Sequence, residues 1–174
     1  MIIVTGFPRS GTSLVMNTLF LLGYPVFGIP FPPGRDPAWQ PSGTPFWEHP
    51  DTMAAELQYL MDSDVAVKVH LRKAIEKRSP RIAEDKIIAC VRNQQDLAQA
   101  MTDLGIGSGS VERNLVQIQK WYGKATAWAG ETPRLNVDLD QLRGNPTAGV
   151  NAIKNFLEIT PDAGQISRAI AGVV

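Results

Sequence analysis

The chain has 174 residues, of which 44% are hydrophobic and 20% charged, values typical of one soluble globular domain spanning residues 1–174. Because 17 Lys and Arg residues balance 17 Asp and Glu residues, no overall field attracts nucleic acid or a membrane surface. An anion must therefore be bound by a local site.

The single cysteine and the two histidines restrict the chemistry further. One cysteine excludes an internal disulfide, and this small set of residues offers no usual zinc ligand spacing. Cys90 lies in an apolar run and is predicted to be a packed thiol rather than a nucleophile. The first residues leave no room for a signal peptide, and no apolar run reaches the length of a membrane span. We therefore expect a cytoplasmic protein.

The N-terminal part of the chain alternates strand and helix patterns. The β-branched run Ile2–Thr5 predicts a buried strand, and the apolar spacing over Gly11–Leu22 predicts a helix that a glycine and a proline terminate. Residues 28–50 are rich in proline and glycine and predict a long loop of the kind that covers or binds ligands. A helix over Asp51–Met61 and a strand over Val65–Val69 are predicted to follow.

The same alternation continues in the second half. Strands alternating with helices predict crossover connections and a mainly parallel sheet with helices on both faces. Asp138 and Asp140, late in the chain, are predicted to be structural. The predicted elements are strands Lys86–Val91 and Leu135–Leu139, helices Gln94–Leu104 and Pro146–Leu157, and a long helix that runs from the flexible break Gly105–Ser110 through about Trp128.

The segment Gly6–Ser13, between the first strand and the first helix, is the most informative part of the sequence. Gly6 and Gly11 are spaced as in the G-x-x-x-x-G part of a P-loop. Glycines let backbone N–H groups converge on an anion, and the positive end of the following helix points to the same place. Thr12 and Ser13 add hydroxyl donors. The segment predicts an anion cradle, with a simple Gly/Pro-rich turn as the alternative.

The loop differs from that of the nucleoside triphosphatases. Their motif continues with Gly-Lys-Ser/Thr, in which the lysine reaches the terminal phosphates and the hydroxyl holds Mg²⁺. Here Thr12 stands at the lysine position, and Arg9 is the loop's cation. A guanidinium can bind a phosphate through a forked pair of hydrogen bonds. These differences disfavour a magnesium-dependent P-loop kinase, which stays a lesser alternative.

Residues Pro8–Ser13 closely resemble the 5′-phosphosulfate loop of the sulfotransferase superfamily, and the longer Gly6–Leu14 is similar to short bacterial members. Further segments resemble the family in the same chain order. They are Val67–Leu71, similar to the family's Lys-x-His-Leu, Cys90–Asn93, similar to its Arg-Asn/Asp at a strand end, and Val137–Leu142 with Asn145-Pro146 and Asn155–Leu157, similar to its late strand and helix.

This resemblance implies an α/β fold, a P-loop NTPase-like three-layer sandwich with a mainly parallel central sheet. It implies metal-independent transfer of a sulfuryl group from 3′-phosphoadenosine-5′-phosphosulfate (PAPS) to a hydroxyl acceptor. The implied catalytic residues are His70 as the general base, with Lys68 and Arg9 stabilising the charge of the transferred group and the leaving phosphate. The implied donor-binding residues are Pro8, Arg9, Ser10, Gly11, Thr12 and Ser13, with Arg92 at the 3′-phosphate.

The residues alone leave other roles open. His70 closes an apolar strand and so lies at the carboxyl edge of the sheet, where ligands bind, but a histidine there can simply cap the strand. Lys68 is alternatively a surface lysine, and Arg92 is alternatively a partner in a surface salt bridge. Glu48, at the end of the long loop, is the second candidate base or else a solvated cap of the next helix.

Two features of the sulfotransferase family are missing from the chain. Position 100, where members usually have serine, is alanine, with Thr102 or the Ser108/Ser110 loop as candidate replacements. The Gly- and Lys-rich C-terminal segment that closes over the donor is also missing. A second hypothesis is therefore a catalytically silent nucleotide- or anion-binding module. The sequence indicates neither the acceptor, since variable loops build acceptor pockets, nor the oligomeric state.

Overall fold

The computed structural model describes residues 1–27, 64–77 and 85–173. Within these ranges the strands are β1 (Ile2–Gly6), β2 (Val26–Phe27), β3 (Ala66–His70), β4 (Lys86–Val91) and β5 (Arg134–Asp138). They form a five-stranded sheet in the order β2-β3-β1-β4-β5, and every neighbouring pair is parallel. Helices pack on both faces, so the predicted α/β sandwich with a mainly parallel sheet is confirmed.

The helices of the described ranges are α1 (Thr12–Leu21), α2 (Leu71–Lys77), α3 (Gln94–Asp103), α4 (Val111–Ala129), α5 (Leu139–Gly144), α6 (Pro146–Leu157) and α7 (Ala163–Ala171). Helix α5 follows β5 without a loop. Asp138 Oδ1 accepts the backbone N–H groups of Asp140 and Gln141, both at 2.9 Å, and so ends the strand and starts the helix. Asp138 is structural, as predicted.

Alternate side chains of the central strands pack on opposite faces of the sheet. In β1, Val4 belongs to the core beneath α1, α6 and α7, whereas Ile3 belongs to the core on the other face. In β3, Ala66 shares the core of Val4, and Val67 shares the core of Ile3. Because side chains alternate along a strand, Lys68 is directed to the α1 face.

The predicted elements agree with the structure wherever an apolar run is long. Each strand and helix predicted within the described ranges is present, with its bounds shifted by about one residue. The short strand β2 and the helices α2, α5 and α7 were not predicted. The predicted long loop 28–50 and the predicted helix Asp51–Met61 lie outside the described residues.

The strand order creates a crevice at the carboxyl edge of the sheet. The chain passes from β1 to β2 and β3 on one side and then crosses to β4 and β5 on the other, so the order reverses between β1 and β4. In open α/β sheets, ligands bind at such a reversal. The β1–α1 loop (residues 7–11) follows one of these two strands, and Arg92 follows the other.

Candidate functional site

The β1–α1 loop has the backbone geometry of an anion cradle. Arg9 and Gly11 have φ angles of 73° and 98°, in the left-handed region that non-glycine residues rarely adopt. A backbone that alternates in and out of this region turns successive N–H groups toward one point and forms a concave anion site. The positive φ of Arg9 costs on the order of 1 kcal/mol or more, and such strain is concentrated at functional sites.

The start of α1 lacks a side-chain cap. Gly11 is its N-cap residue, and within the described part of the chain no capping side chain accepts from the first backbone N–H groups of this helix. The first N–H groups of a helix have no partner within the helix, and the helix dipole makes this end positive. Helix α1 therefore presents its N–H groups to a ligand. The helices α3 to α7 are capped instead, by the side chains of Asn93, Ser110, Asp138, Asn145 and Asp162.

Close contacts require both glycines of the loop motif. A Cβ atom at Gly6 would lie 2.7 Å from the Cys90 carbonyl oxygen, and one at Gly11 would lie 2.8 Å from the first side chain of α5. Ser10 is fully buried, and its Oγ donates to the Phe7 carbonyl oxygen at 2.7 Å. The Ser10 side chain therefore holds the shape of the loop and does not face the crevice.

Two side chains of β3 lie beside the loop. Lys68 Nζ donates to Ser13 Oγ at 3.1 Å and ties β3 to the first turn of α1. Lys68 is thus half-buried at the loop rather than on the exposed surface. His70 is the last residue of β3, and its Cα is paired in register with that of Gly6, just before the loop. The structure brings both residues to the same edge of the sheet as the loop.

Arg92 lies half-buried beside α5. Its Nε is 3.7 Å from Asp140 Oδ2, which is an ion pair but too long for a hydrogen bond. Arg92 Nε is buried and has no hydrogen-bond partner among the described residues. The salt bridge that was the alternative role of Arg92 is therefore present, and the guanidinium keeps a donor for a phosphate.

The charges of two other guanidinium groups act on Arg9. The pKa of Arg9 is lowered, first by burial and then by the positive charges of Arg92 and Arg143. Arg143 is an exposed residue of α5, and it was not predicted as a site residue because α5 itself was not predicted. Like charges held together in a chain without net charge indicate a site for an anion.

Cys90 does not belong to the reactive part of the site. Its side chain is buried, and burial raises the pKa of the thiol to about 12, although the charge of Lys68 acts in the opposite direction. A thiol with such a pKa is inert at neutral pH. The prediction of a packed thiol is confirmed.

A cavity of about 160 Å³ lies on the other face of the sheet, between the strands and α4. Tyr122 of α4 lines it and packs edge-on against Phe7, with ring centroids 5.2 Å apart. Burial raises the pKa of the Tyr122 hydroxyl. Gly6 also lines this cavity, whereas Arg9, Lys68 and His70 are not among the described residues that do.

The hydroxyls that were candidate replacements for a serine at position 100 have other partners. Thr102 Oγ1 donates to a backbone carbonyl oxygen at 2.9 Å and accepts from Asn114 Nδ2 at 3.0 Å. Ser108 Oγ donates to Asn114 Oδ1 at 3.0 Å, and Ser110 caps α4. These groups hold the connection between α3 and α4, and Ala100 itself carries no donor.

Other sequence predictions have different outcomes. Glu48, the second candidate base, lies outside the described residues. Within residues 1–27, 64–77 and 85–173, no three His, Cys, Asp or Glu side chains are grouped so that they could hold a metal ion. In the same ranges, no helix combines the length and the apolar character needed to cross a membrane.

The fold is similar to those of a solved sulfotransferase and a solved retinol dehydratase. Mouse sulfotransferase SULT7A1 complexed with PAP superposes with a TM-score of 0.63 at 16% sequence identity. Retinol dehydratase in complex with androsterone and inactive cofactor PAP superposes with a TM-score of 0.61 at 12% identity. Both alignments cover 99% of this chain but only 63% and 64% of those proteins, so the chain spans less than two thirds of their length. The resemblance predicted from the sequence is confirmed at the level of the fold.

Neither a family model nor a curated protein sequence matches the chain.

Substitution of the loop glycine tests the strained geometry. Gly11→Ala is expected to lower the free energy of unfolding by about 2 kcal/mol, because a Cβ at a φ of 98° is strained and meets the side chain of Leu139. The matched control is Gly123→Ala within α4, where a Cβ meets open space, and this change is expected to raise stability by about 0.5–1 kcal/mol. Urea unfolding measures both. A Gly11→Ala variant as stable as Gly123→Ala would contradict the described loop.

Proposed function

We propose that this chain, which has the sulfotransferase fold, binds PAPS and transfers its sulfuryl group to a hydroxyl acceptor without requiring a metal ion. The observation that carries the proposal is the β1–α1 loop, whose strained backbone leads into an uncapped helix start. Lys68 is hydrogen-bonded to that helix start, and arginine side chains surround the crevice. These groups suit a donor that carries a sulfated phosphate at one end and a second phosphate at the other.

The proposed donor site uses the two sides of the crevice. The backbone N–H groups of Gly11, Thr12 and Ser13, together with Arg9, bind the 5′ end of the donor. Pro8, whose ring fixes φ, and Ser10, whose hydroxyl is bonded within the loop, hold these groups in place. Arg92, across the reversal of strand order, binds the 3′-phosphate through the donors that its long ion pair with Asp140 leaves available.

The proposed transfer is a single in-line displacement at sulfur. The acceptor oxygen bonds to sulfur as the bond between sulfur and the 5′-phosphate oxygen breaks, which yields a sulfate ester and adenosine 3′,5′-bisphosphate (PAP). His70 accepts the hydroxyl proton, because it ends β3 beside the loop and an imidazole nitrogen can act as a general base. Lys68 and Arg9 stabilise the negative charge that grows on the leaving phosphate. Glu48 is the alternative base.

A catalytically silent nucleotide-binding module is the second candidate. The observation that favours it lies on α3, where Ala100 supplies no hydroxyl and the nearby hydroxyls are bonded within the α3–α4 connection. Such a module would bind PAP through the same loop but would not turn over PAPS. Binding and turnover are therefore measured separately.

The binding experiment is a calorimetric titration with PAP. We expect magnesium-independent binding that is weakened about 10- to 100-fold in Arg9→Ala and in Arg92→Ala, because each variant loses a charge-assisted hydrogen-bond pair. Arg113→Ala, at an exposed position in the first turn of α4, is the matched control and should bind as the unmodified chain does. The same titration is repeated with ADP and with Mg-ATP for comparison. Absence of PAP binding, or a preference for Mg-ATP, would overturn the donor assignment.

The catalytic experiment measures transfer of radiolabelled sulfate from PAPS to simple phenol, sugar and lipid hydroxyl acceptors. His70→Gln is expected to lower kcat by about 10²- to 10⁴-fold while PAP affinity stays unchanged, because the imidazole acts on the acceptor proton. Glu48→Gln is the comparison and should retain turnover. Full activity in His70→Gln would reject His70 as the base, and PAP binding without any turnover would favour the silent module.

A further inference from the structure

Helix α5 packs directly against the β1–α1 loop. The Leu139 side chain, at the first position of α5, is buried and occupies the space beside Gly11, as the 2.8 Å distance from a Cβ at Gly11 to Leu139 Cδ1 demonstrates. One residue later, Asp140 forms the ion pair with Arg92 at 3.7 Å. The start of α5 therefore contacts both sides of the crevice.

Arg143 lies on the same side of this short helix as Leu139 and Asp140. It stands four residues after Leu139 and three after Asp140, and residues at these separations share one face of a helix. Its side chain is exposed, and within the described ranges it makes no hydrogen bond or ion pair of its own. The guanidinium is thus available to a ligand at the crevice.

Positive charges from three elements act at the crevice. After burial, the two causes that lower the pKa of Arg9 are the positive charges of Arg92 and Arg143, so both of these guanidinium groups lie near enough to act on Arg9. The described acidic group paired with them is Asp140, through its long contact with Arg92. A bound dianion would offset this repulsion, because it attracts all three positive charges.

We propose that Arg143 is a third cation of the donor site and binds a phosphate group of the nucleotide together with Arg9 and Arg92. This inference rests on the proposed function. Arg143 lies outside every segment that carries the sulfotransferase resemblance, so it was not among the donor-binding residues expected from the sequence. It supplies from α5 a phosphate contact that α3 lacks.

The need for such a contact follows from α3 and α4. A serine hydroxyl is missing at position 100, and Thr102 and Ser108 use theirs in hydrogen bonds with the buried Asn114 or the backbone. Recruiting either hydroxyl to a phosphate would break the hydrogen bond that it now donates, from Thr102 to a backbone carbonyl oxygen and from Ser108 to the buried Asn114. Arg143 has no such bond to lose, and a guanidinium offers several donors in a fixed geometry.

The test compares Arg143→Gln with the matched control Arg113→Gln in calorimetric titrations with PAP. We expect Arg143→Gln to bind PAP roughly 10-fold more weakly, with a smaller loss of affinity as salt is raised, because one charge has left the site. Arg143→Lys should retain part of the affinity, and Arg113→Gln should match the unmodified chain. Thermal unfolding without ligand should show Arg143→Gln to be at least as stable as the unmodified chain, because like-charge repulsion has been relieved.

The outcomes separate this inference from the proposed function. Absence of PAP binding by the unmodified chain would reject both. Binding by the unmodified chain and equal binding by Arg143→Gln would overturn the role of Arg143 and leave the proposed function standing. Weaker binding accompanied by a less stable free protein would also overturn it, because Arg143 would then act on the fold rather than on the ligand.

Discussion

The constraint on which the rest of the structure depends is the tight turn between β1 and α1. Gly11 must have a positive φ and no side chain, because Leu139 of α5 fills the adjacent space. That turn leaves the start of α1 uncapped, directs backbone N–H groups outward and holds Arg9 in a strained conformation. The strain is sustained by the buried Ser10 hydroxyl and by parallel pairing of β1 with both of its neighbours. A fold that needed only stability would have capped this helix.

Positively charged side chains also lie together at the carboxyl edge of the sheet. The chain as a whole has equal numbers of basic and acidic residues, yet the charges of Arg92 at the end of β4 and Arg143 of α5 both act on Arg9 of the loop. Lys68 approaches that edge from β3 and is bonded to α1. Positive charges gathered at one edge strengthen the attraction of that edge for an anion. The candidate site is therefore formed by the β1–α1 loop, β3, the end of β4 and α5.

How much of this could be predicted from the sequence depends on whether the signal is local. The strands β1, β3 and β4 are apolar runs, and the loop motif is contiguous, so both could be predicted. Strand β2 has only Val26–Phe27, too short for a pattern. Helix α5 was not predicted because Leu135, Val137 and Leu139 alternate with polar residues as in a strand. In the structure, Asp138 caps a helix that begins at Leu139. The proximity of Arg143 to Arg9 arises from tertiary packing, which no spacing along the chain encodes.

The measurement that tests the central claim most directly is an amide chemical-shift titration of ¹⁵N-labelled protein with PAP. If the β1–α1 loop and the first turn of α1 form the anion cradle, the largest shifts will occur at the backbone N–H groups of Gly11, Thr12 and Ser13, because those groups acquire hydrogen bonds to the phosphate. The exposed face of α4, including Gln117 and Gln119, will be unaffected. Shifts concentrated elsewhere, with residues 11–13 unchanged at saturation, would contradict the account.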